Sequence, residues 1–482
     1  MKKRHESFRI RKYTRRYNRE TGKFTIDIAY ETATEITPRT IAVAEAFGIG
    51  IEKHRRFKIY DNLELKIGPR DIIYITGESG SGKTTLLKAL EKDLGEEATN
   101  IDKIQLDPEK PIIETLGKTV EEGLRLLSRV GLNDAYLFVR RYRELSDGQK
   151  YRYRIAKLIE SERQWWMMDE FCSTLDRETA KIVAFNVQKQ ARRTSRAVIA
   201  ATTHMDLLED LVPSVHIHKG WGRRIQVRYF PNRPNEVCSV TRGLRIEEGT
   251  LKDYKQLAEF HYRNPETRPV PIKIYKLKRD GDDVAIGVIL YSYPPPQCFG
   301  RTEAFGRRVP LEEVNEKMAT ISRVILHPKY RSIGLGVRLV EETLPLIERQ
   351  YVEATAVMAQ YNRFFEKAGM TRITETCGDE SIMKAIGTLG EIGFKPYALP
   401  SIEANLQHLK ELSPEDLEGV KVALSKVSPC YYKRLRAAGA VYAKKEEFSR
   451  FIRGSSLETI AKVLSRLAVL SQRKVYLLWR RS

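Results

Sequence analysis

Apolar and polar positions along this chain follow two periods, and the switches between them mark most of its elements. From Phe57 onward Ile59, Leu63, Leu65 and Ile67 are interleaved with polar residues; Gly68-Pro69-Arg70-Asp71 then makes a turn, and Ile72 to Thr76 is a nearly unbroken apolar run. Alternation of this kind predicts a half-buried strand, and a short apolar run bounded by turn residues predicts a strand covered on both faces. Phe8 to Tyr13 and Phe24 to Tyr30 also alternate, on either side of Asn18 to Gly22, and predict a two-stranded ribbon. Thr37-Pro38 reads as an N-cap with proline at the first helical position, starting a short helix to Phe47 that Gly48 stops.

The second half of the chain carries a different succession. Leu244 to Glu247 reads as a short strand, Thr250 caps a helix through His261, and Ile272 to Lys278 with Val284 to Tyr293 forms a hairpin over Arg279-Asp280-Gly281-Asp282-Asp283. Pro294-Pro295-Pro296 breaks the hairpin. Ala319 to Leu326 is a strand, a helix starts at Val337, and Val352 to Met358 and Val475 to Trp479 are further strands. Residues 378 to 470 read as helical, with Ser413-Pro414-Glu415-Asp416 and Ser455-Ser456-Leu457-Glu458 as start signals.

At 482 residues the chain is too long for one core, and 41% hydrophobic residues suffice to fill two or three. The patterns divide it into a basic ribbon and short helix (1–56), an α/β domain (57–220), a connector rich in Arg, Pro, Asn and Gly (221–243) and a mixed α/β domain (244–482) with a helical insertion at about 378–470. The formal charge of +21 points to a polyanion, nucleic acid before an anionic membrane. Residues 1 to 20 hold nine Lys or Arg, interleaved with Phe8, Tyr13 and Tyr17, a composition suited to phosphate contact and base stacking. Val139-Arg140-Arg141-Tyr142-Arg143 and Lys150-Tyr151-Arg152-Tyr153-Arg154 suit stacking on bases or a solvated basic helix face equally. No apolar run approaches a membrane span and no apolar signal region follows Met1, so a soluble, cytoplasmic protein is expected. The cysteines Cys172, Cys238, Cys298, Cys377 and Cys430 are scattered, which supports neither a zinc knuckle nor a disulfide framework. His216-Ile217-His218 lacks a third ligand nearby and reads as a strand-edge pair.

The run Gly77-Glu78-Ser79-Gly80-Ser81-Gly82-Lys83-Thr84-Thr85 follows the apolar strand and opens a helix. It fits the G-x-x-x-x-G-K-[ST] pattern in the context that pattern needs. Glycines let successive backbone N–H groups curl around an anion, and the helix N-terminus adds positive potential. Lys83 is expected on the β- and γ-phosphates and the Thr84 hydroxyl on Mg²⁺.

Four further motifs follow in order: Leu145-Ser146-Asp147-Gly148-Gln149, Trp165-Trp166-Met167-Met168-Asp169-Glu170, Ser173-Thr174-Leu175-Asp176 and Ala200-Ala201-Thr202-Thr203-His204. Together with the glycine loop they resemble the ABC ATPase superfamily. The resemblance implies ATP held by Gly77, Ser79, Gly80, Gly82, Lys83, Thr84 and Thr85, and Mg²⁺ held by Thr84 and Asp169. It further implies Glu170 as the residue that orients or deprotonates the attacking water, His204 as the γ-phosphate sensor and Gln105 as the link from nucleotide to partner. Ser146, Gly148 and Gln149 belong to the signature that reaches the nucleotide of a second subunit, so a homodimer is implied. Asp147 departs from the family, which usually has glycine there, and adds negative charge near a triphosphate.

In the second domain His327-Pro328-Lys329-Tyr330-Arg331-Ser332-Ile333-Gly334-Leu335-Gly336 lies between a strand and a helix, and Asn362-Arg363-Phe364-Phe365-Glu366-Lys367-Ala368-Gly369-Met370 follows. This combination resembles the GNAT N-acetyltransferase superfamily. The resemblance implies that Arg331, Ser332, Ile333, Gly334, Leu335 and Gly336 grip the pyrophosphate of acetyl-CoA through backbone amides. Phe365 stands where many such enzymes place a tyrosine acid, and strand 319–326 lacks the glutamate often used as base. Tyr361 and Cys377 are substitutes to weigh against a packed aromatic and a buried thiol.

The fold class expected is therefore α/β, a P-loop ABC ATPase domain followed by a GNAT-like domain. The function expected is ATP hydrolysis coupled to an acetyl-CoA-dependent N-acetyltransferase acting on RNA. The alternatives are a nucleic-acid-binding ATPase switch with a CoA-binding but non-catalytic GNAT domain, or a protein N-acetyltransferase.

Overall fold

The computed structural model describes residues 8–18, 20–32, 36–50, 55–261, 270–376, 378–435 and 444–481. Residues 1–7 and Arg19 of the basic segment, and Cys377, lie outside them. By contacts the chain divides into two units, one of Met1–Arg268, Tyr275–Val288 and Val324–Leu339, the other of Pro269–Ile274, Ile289–Arg323 and Val340–Ser482.

In the first unit the strands are β1 (Phe8–Asn18), β2 (Lys23–Thr32), β3 (Arg55–Lys66), β4 (Ile72–Gly77), β5 (Ala98–Asn100), β6 (Trp165–Met168), β7 (Ala197–Ala201), β8 (Val215–Lys219) and β9 (Ile225–Tyr229). The expected ribbon is present: β1 pairs β2 antiparallel from Phe8↔Thr32 to Asn18↔Lys23. The turn Gly68–Asp71, however, joins strands of different sheets. β3 pairs β2 in a three-stranded sheet, while β4 lies in a six-stranded sheet of order β5-β6-β7-β4-β8-β9. Along that order the pairs are parallel, except the antiparallel β8–β9.

Period-two alternation sorts the six-stranded sheet into two cores. Ile72, Tyr74, Trp166, Met168, Val198 and Ala200 share one with Leu126, Leu127, Leu137, Phe138 and Tyr153. Ile73, Ile75, Trp165, Met167 and Ile199 share the other with Leu86 and Leu90, and with Phe24, Ile26, Ile28 and Tyr60 of the three-stranded sheet. Each such fully buried aliphatic side chain contributes about 1.5–3 kcal/mol of transfer free energy. The ribbon is therefore built into the core beneath the six-stranded sheet, through side chains of β2. The short helix Pro38–Phe47 has the predicted ends, a capping box at Thr37 and Gly48 at φ 61°.

The first unit also holds β10 (Leu244–Glu248), which pairs with Tyr275–Arg279, and the helix Leu251–Leu257, which Thr250 caps. That helix ends four residues before the expected His261, giving way to a 3₁₀ turn at Ala258–Phe260. β11 (Pro271–Arg279), β12 (Ala285–Ser292) and β13 (Met318–Leu326) each contribute residues to both units.

In the second unit β14 (Tyr351–Ala356) pairs parallel with Met318–Ile321 of β13 and antiparallel with β16 (Lys474–Arg480), which in turn pairs with β15 (Thr371–Thr376). Between β15 and β16 the helices Glu380–Glu391, Ile402–Glu411, Pro414–Ser425, Lys445–Gly454 and Leu457–Leu470 close over a core that includes Ile382, Leu389, Leu424, Phe448, Ile460 and Leu464. Ser413 and Ser456 cap their helices as the start signals predicted. Among the described residues no helix is long and apolar enough to cross a membrane.

Candidate nucleotide site

Strand order brings the motifs together. β6, β7, β4 and β8 are neighbours and run parallel, so their C-terminal ends present Asp169-Glu170, Thr202 to His204 and the glycine loop along one edge. Ligands of open parallel sheets bind at that edge, where helix N-termini converge.

The loop itself needs its glycines. Gly77, Gly80 and Gly82 have φ of 143°, 73° and 109°. A Cβ on Gly77 would stand 2.0 Å from the carbonyl oxygen of Lys219 and one on Gly82 2.9 Å from Ile59, so neither position admits a side chain. The helix Lys83–Leu94 begins directly at Gly82, without a side-chain cap, leaving its first N–H groups for an anion. The Lys83 ammonium donates to the carbonyls of Gly77 and Glu78 at 2.9 and 2.8 Å. Burial lowers its pKa, against the opposing pull of Glu170 and Asp169. Two residues that carried no motif signal complete the cradle. Tyr60 donates from its hydroxyl to Gly82 O at 2.9 Å, and Trp221, largely exposed, lies 3.4 Å from where a Cβ of Gly80 would stand. In the sequence Tyr60 follows Ile59 out of the phase of the apolar positions, and nothing marks it.

Asp169 and Glu170 follow the buried strand Trp165–Met168, and Glu170 takes φ 46°, with its N–H donated to Asp169 Oδ1 at 3.0 Å. A strained backbone at that point turns the glutamate out of the strand line. The half-buried Thr84 hydroxyl and the Asp169 carboxylate are hard oxygen donors suited to Mg²⁺, whose remaining ligands would come from nucleotide phosphates and water. No group of three or more His, Cys, Asp or Glu able to hold a metal occurs among the described residues. His204 is half-buried and its carbonyl accepts from the Tyr74 hydroxyl at 2.6 Å. Arg177 donates from Nε to Asp206 at 2.9 Å, which ties the helix after Ser173–Asp176 to the segment that follows His204. Gln105 is exposed just beyond β5.

Ser146 caps the helix Asp147–Glu160 in a reciprocal box with Gln149. Asp147 occupies the first turn of that helix, where a carboxylate is favoured by the helix dipole, a local reason for the acid in place of glycine. Two expectations are corrected here. Tyr142 and Tyr153 are buried in the core, with Arg154 donating to the Tyr142 hydroxyl at 3.1 Å, so neither ring is available for base stacking. His216 and His218 lie not on a sheet edge but on β8 between β4 and β9, and share the Thr76 hydroxyl at 2.8 and 3.1 Å. Cys172 and Cys238 are buried, Cys298 is half-buried and Cys430 exposed.

The loop expected to hold acetyl-CoA has Ser332 at φ 73° and Gly334 at φ 90°, then the helix Leu335–Thr343. A Cβ on Gly334 would meet nothing within 4 Å, so the backbone there faces open space, as close approach of a ligand demands. Ile333 and Leu335 are buried, and Gly336 is in the first helical turn. The Arg331 guanidinium is turned inward onto the carbonyls of Leu326, Asn133 and Phe260, each at 3.1 Å, so it serves the packing of the loop. Phe365 is buried and Tyr361 half-buried outside its helix. A network the sequence did not signal lies in the second unit: Glu353, fully buried, accepts from Arg301, Thr320 and Tyr476.

Comparison with known proteins fits the first of these sites. Residues 60–121 match the family model described as ABC transporter. The methionine import ATP-binding protein MetN of Clostridium tetani is 27% identical over 201 residues, 34% of this chain and 62% of that protein. The energy-coupling factor transporter ATP-binding protein EcfA1 of Thermotoga maritima is 28% identical over 188 residues, 33% of this chain and 71% of that protein. A solved dimeric ATP-binding cassette in a post-hydrolysis state, bound to ADP and Pi, aligns at 18% identity and TM-score 0.31, over 36% of this chain and 94% of its own. This part of the chain is thus a P-loop α/β nucleotide-binding domain. More particularly, it is an ATP-binding domain of the ABC type. The chain spans 62% of the length of the two MetN proteins it matches.

Proposed function

We propose that the protein hydrolyses ATP as a homodimer of its ABC-type domain and uses that cycle to drive an acetyl-CoA-dependent N-acetyltransferase that acts on RNA. The observation that carries the ATPase part is the alignment of Lys83, Asp169, Glu170 and His204 along one edge of four parallel strands. In this reading the loop amides and Lys83 bind the phosphates, Thr84 and Asp169 hold Mg²⁺, and Glu170 positions and deprotonates the attacking water. Ser146 and Gly148 contact the nucleotide of the second subunit. Acetyl-CoA supplies an activated acetyl group with a thiolate leaving group. The open face at Gly334 and the helix starting at Leu335 support pyrophosphate binding there.

The basic ribbon supports a nucleic-acid acceptor, and RNA is favoured. One observation favours the alternative, a CoA-binding switch without transfer: buried Phe365 takes the place of a tyrosine acid.

Glu170→Gln is expected to bind ATP and lose turnover by about 10²-fold or more; wild-type turnover in that variant would remove Glu170 from the role. Labelled acetyl groups should pass from acetyl-CoA to RNA, faster with ATP, and Gly334→Glu or Gly336→Glu should abolish CoA binding through bulk and repulsion. Binding without transfer to any cellular pool would select the switch.

A further inference from the structure

The loop proposed to hold acetyl-CoA is bonded to both sides of the ATP machinery. All the residues involved belong to the first unit. On one side the Lys329 ammonium lies 2.8 Å from Asp176 and 2.8 Å from Glu178. The Tyr330 hydroxyl donates to Glu178 at 2.9 Å, and Arg279 donates to the other Glu178 oxygen at 2.8 Å. Asp176 ends the Ser173–Asp176 motif and caps the helix Arg177–Arg193. Burial pushes its carboxyl up, but Lys329 and the cap bonds outweigh that and hold it at about 2.

On the other side the Ser332 hydroxyl donates to Ser128 O at 2.6 Å and accepts from Asn133 at 3.1 Å, while Arg331 donates to Asn133 O. The turn between Ser128 and Asn133 is held in turn to the signature helix. Arg152 on that helix donates to Gly131 O and to Gly148 O, each at 3.3 Å. An unbroken path of hydrogen bonds and backbone thus runs from Gly148 through Arg152 and Gly131 to Ser332, and from Lys329 to Asp176. Gly334 follows Ser332 by two residues.

We propose that the segment His327–Ser332 couples the two ligands, so that acetyl-CoA affinity depends on the nucleotide state. The inference rests on the acetyl-CoA reading of Arg331 to Gly336. The physical reason is that one short loop has two separate anchors, the Ser128–Asn133 turn and the Asp176–Glu178 helix start. Any displacement of one anchor relative to the other must be absorbed by the backbone between Lys329 and Gly334. Ser332 already sits there at positive φ, where a non-glycine residue is strained by about 1–3 kcal/mol. A small shift therefore changes the direction of the amides that face the ligand. Such a linkage is reciprocal: ATP must change acetyl-CoA affinity by the factor with which acetyl-CoA changes ATP affinity.

Calorimetry on the full chain carrying Glu170→Gln tests this, with acetyl-CoA titrated with and without ATP and Mg²⁺, and ATP titrated with and without acetyl-CoA. A factor of about 5–150, equal in both directions, is expected. Lys329→Met with Tyr330→Phe should bring the factor towards one while both ligands still bind. Binding of both ligands with a factor of one in the parent overturns the coupling and leaves the acetyl-CoA reading standing. A factor undiminished in the double variant also overturns it. Failure of acetyl-CoA to bind at all overturns the reading of the loop and the coupling with it.

Discussion

The carbonyl oxygen of Lys219 lies 2.0 Å from the point a Cβ on Gly77 would occupy. β8 thus passes the phosphate loop too closely for any side chain, and Lys219 itself is buried, its ammonium donating to Gly220 O at 2.8 Å and stacked over the Tyr60 ring. Gly77→Ala is expected to force the two strands apart, destabilising the fold by about 1–3 kcal/mol and weakening ATP binding severely. Melting curves and a nucleotide titration would check it; wild-type values for both would mean that the loop relaxes freely.

Ser146 is exposed and caps its own helix, and Leu175 lies 3.3 Å from where a Cβ on Gly148 would stand. If these residues serve a second subunit, ATP with Mg²⁺ should turn Glu170→Gln into a dimer in light scattering. Ser146→Arg should block that change without lowering the melting temperature by more than a few degrees. A monomer under all conditions well above cellular concentration would count against the shared site.

Arg301 grips Glu353 through Nε at 3.2 Å and Nη2 at 2.7 Å, and its other bonds go to the carbonyls of Pro295 and Pro296. The pair fastens the proline-rich segment to β14. Removing one partner leaves a buried charge alone, so Arg301→Met should cost about 3–5 kcal/mol, and the double variant Arg301→Met, Glu353→Leu distinctly less. Denaturant unfolding would show it; equal losses for the single and double variants would contradict the argument.

β1, whose sequence holds Arg9, Arg11, Lys12, Arg15 and Arg16, pairs with β2 alone and is an edge strand of its sheet. If the proposed RNA acceptor binds through this strand, its affinity should fall steeply with salt, by about 0.7–0.9 in log K per phosphate contact against log salt. Replacing Arg9, Arg11 and Arg15 by Gln should flatten the slope while sparing β2, which deletion of the segment would uncover. An unchanged slope would move the contact elsewhere.

Local chemistry wrote the local elements, and the sequence alone determined them. The caps at Thr37, Thr250, Ser413 and Ser456 are satisfied within three residues, and the glycines of the phosphate loop answer to backbone angles, so both are legible without a fold. The same holds for the apolar run of β4 and for the ordered motifs around Lys83, Ser146, Asp169 and His204. Tertiary structure decided what depends on distant partners. That β3 leaves β4 for the ribbon's sheet, that Tyr142 and Tyr153 turn into a core, and that Glu353 meets Arg301 and Tyr476 are outcomes of packing between segments far apart in the chain. The clearest case is Lys329. In the sequence it is one basic residue in a loop; only the approach of that loop to Asp176 and Glu178 gives it carboxylate partners, because an ion pair is fixed by distance in space and leaves no periodic trace along the chain.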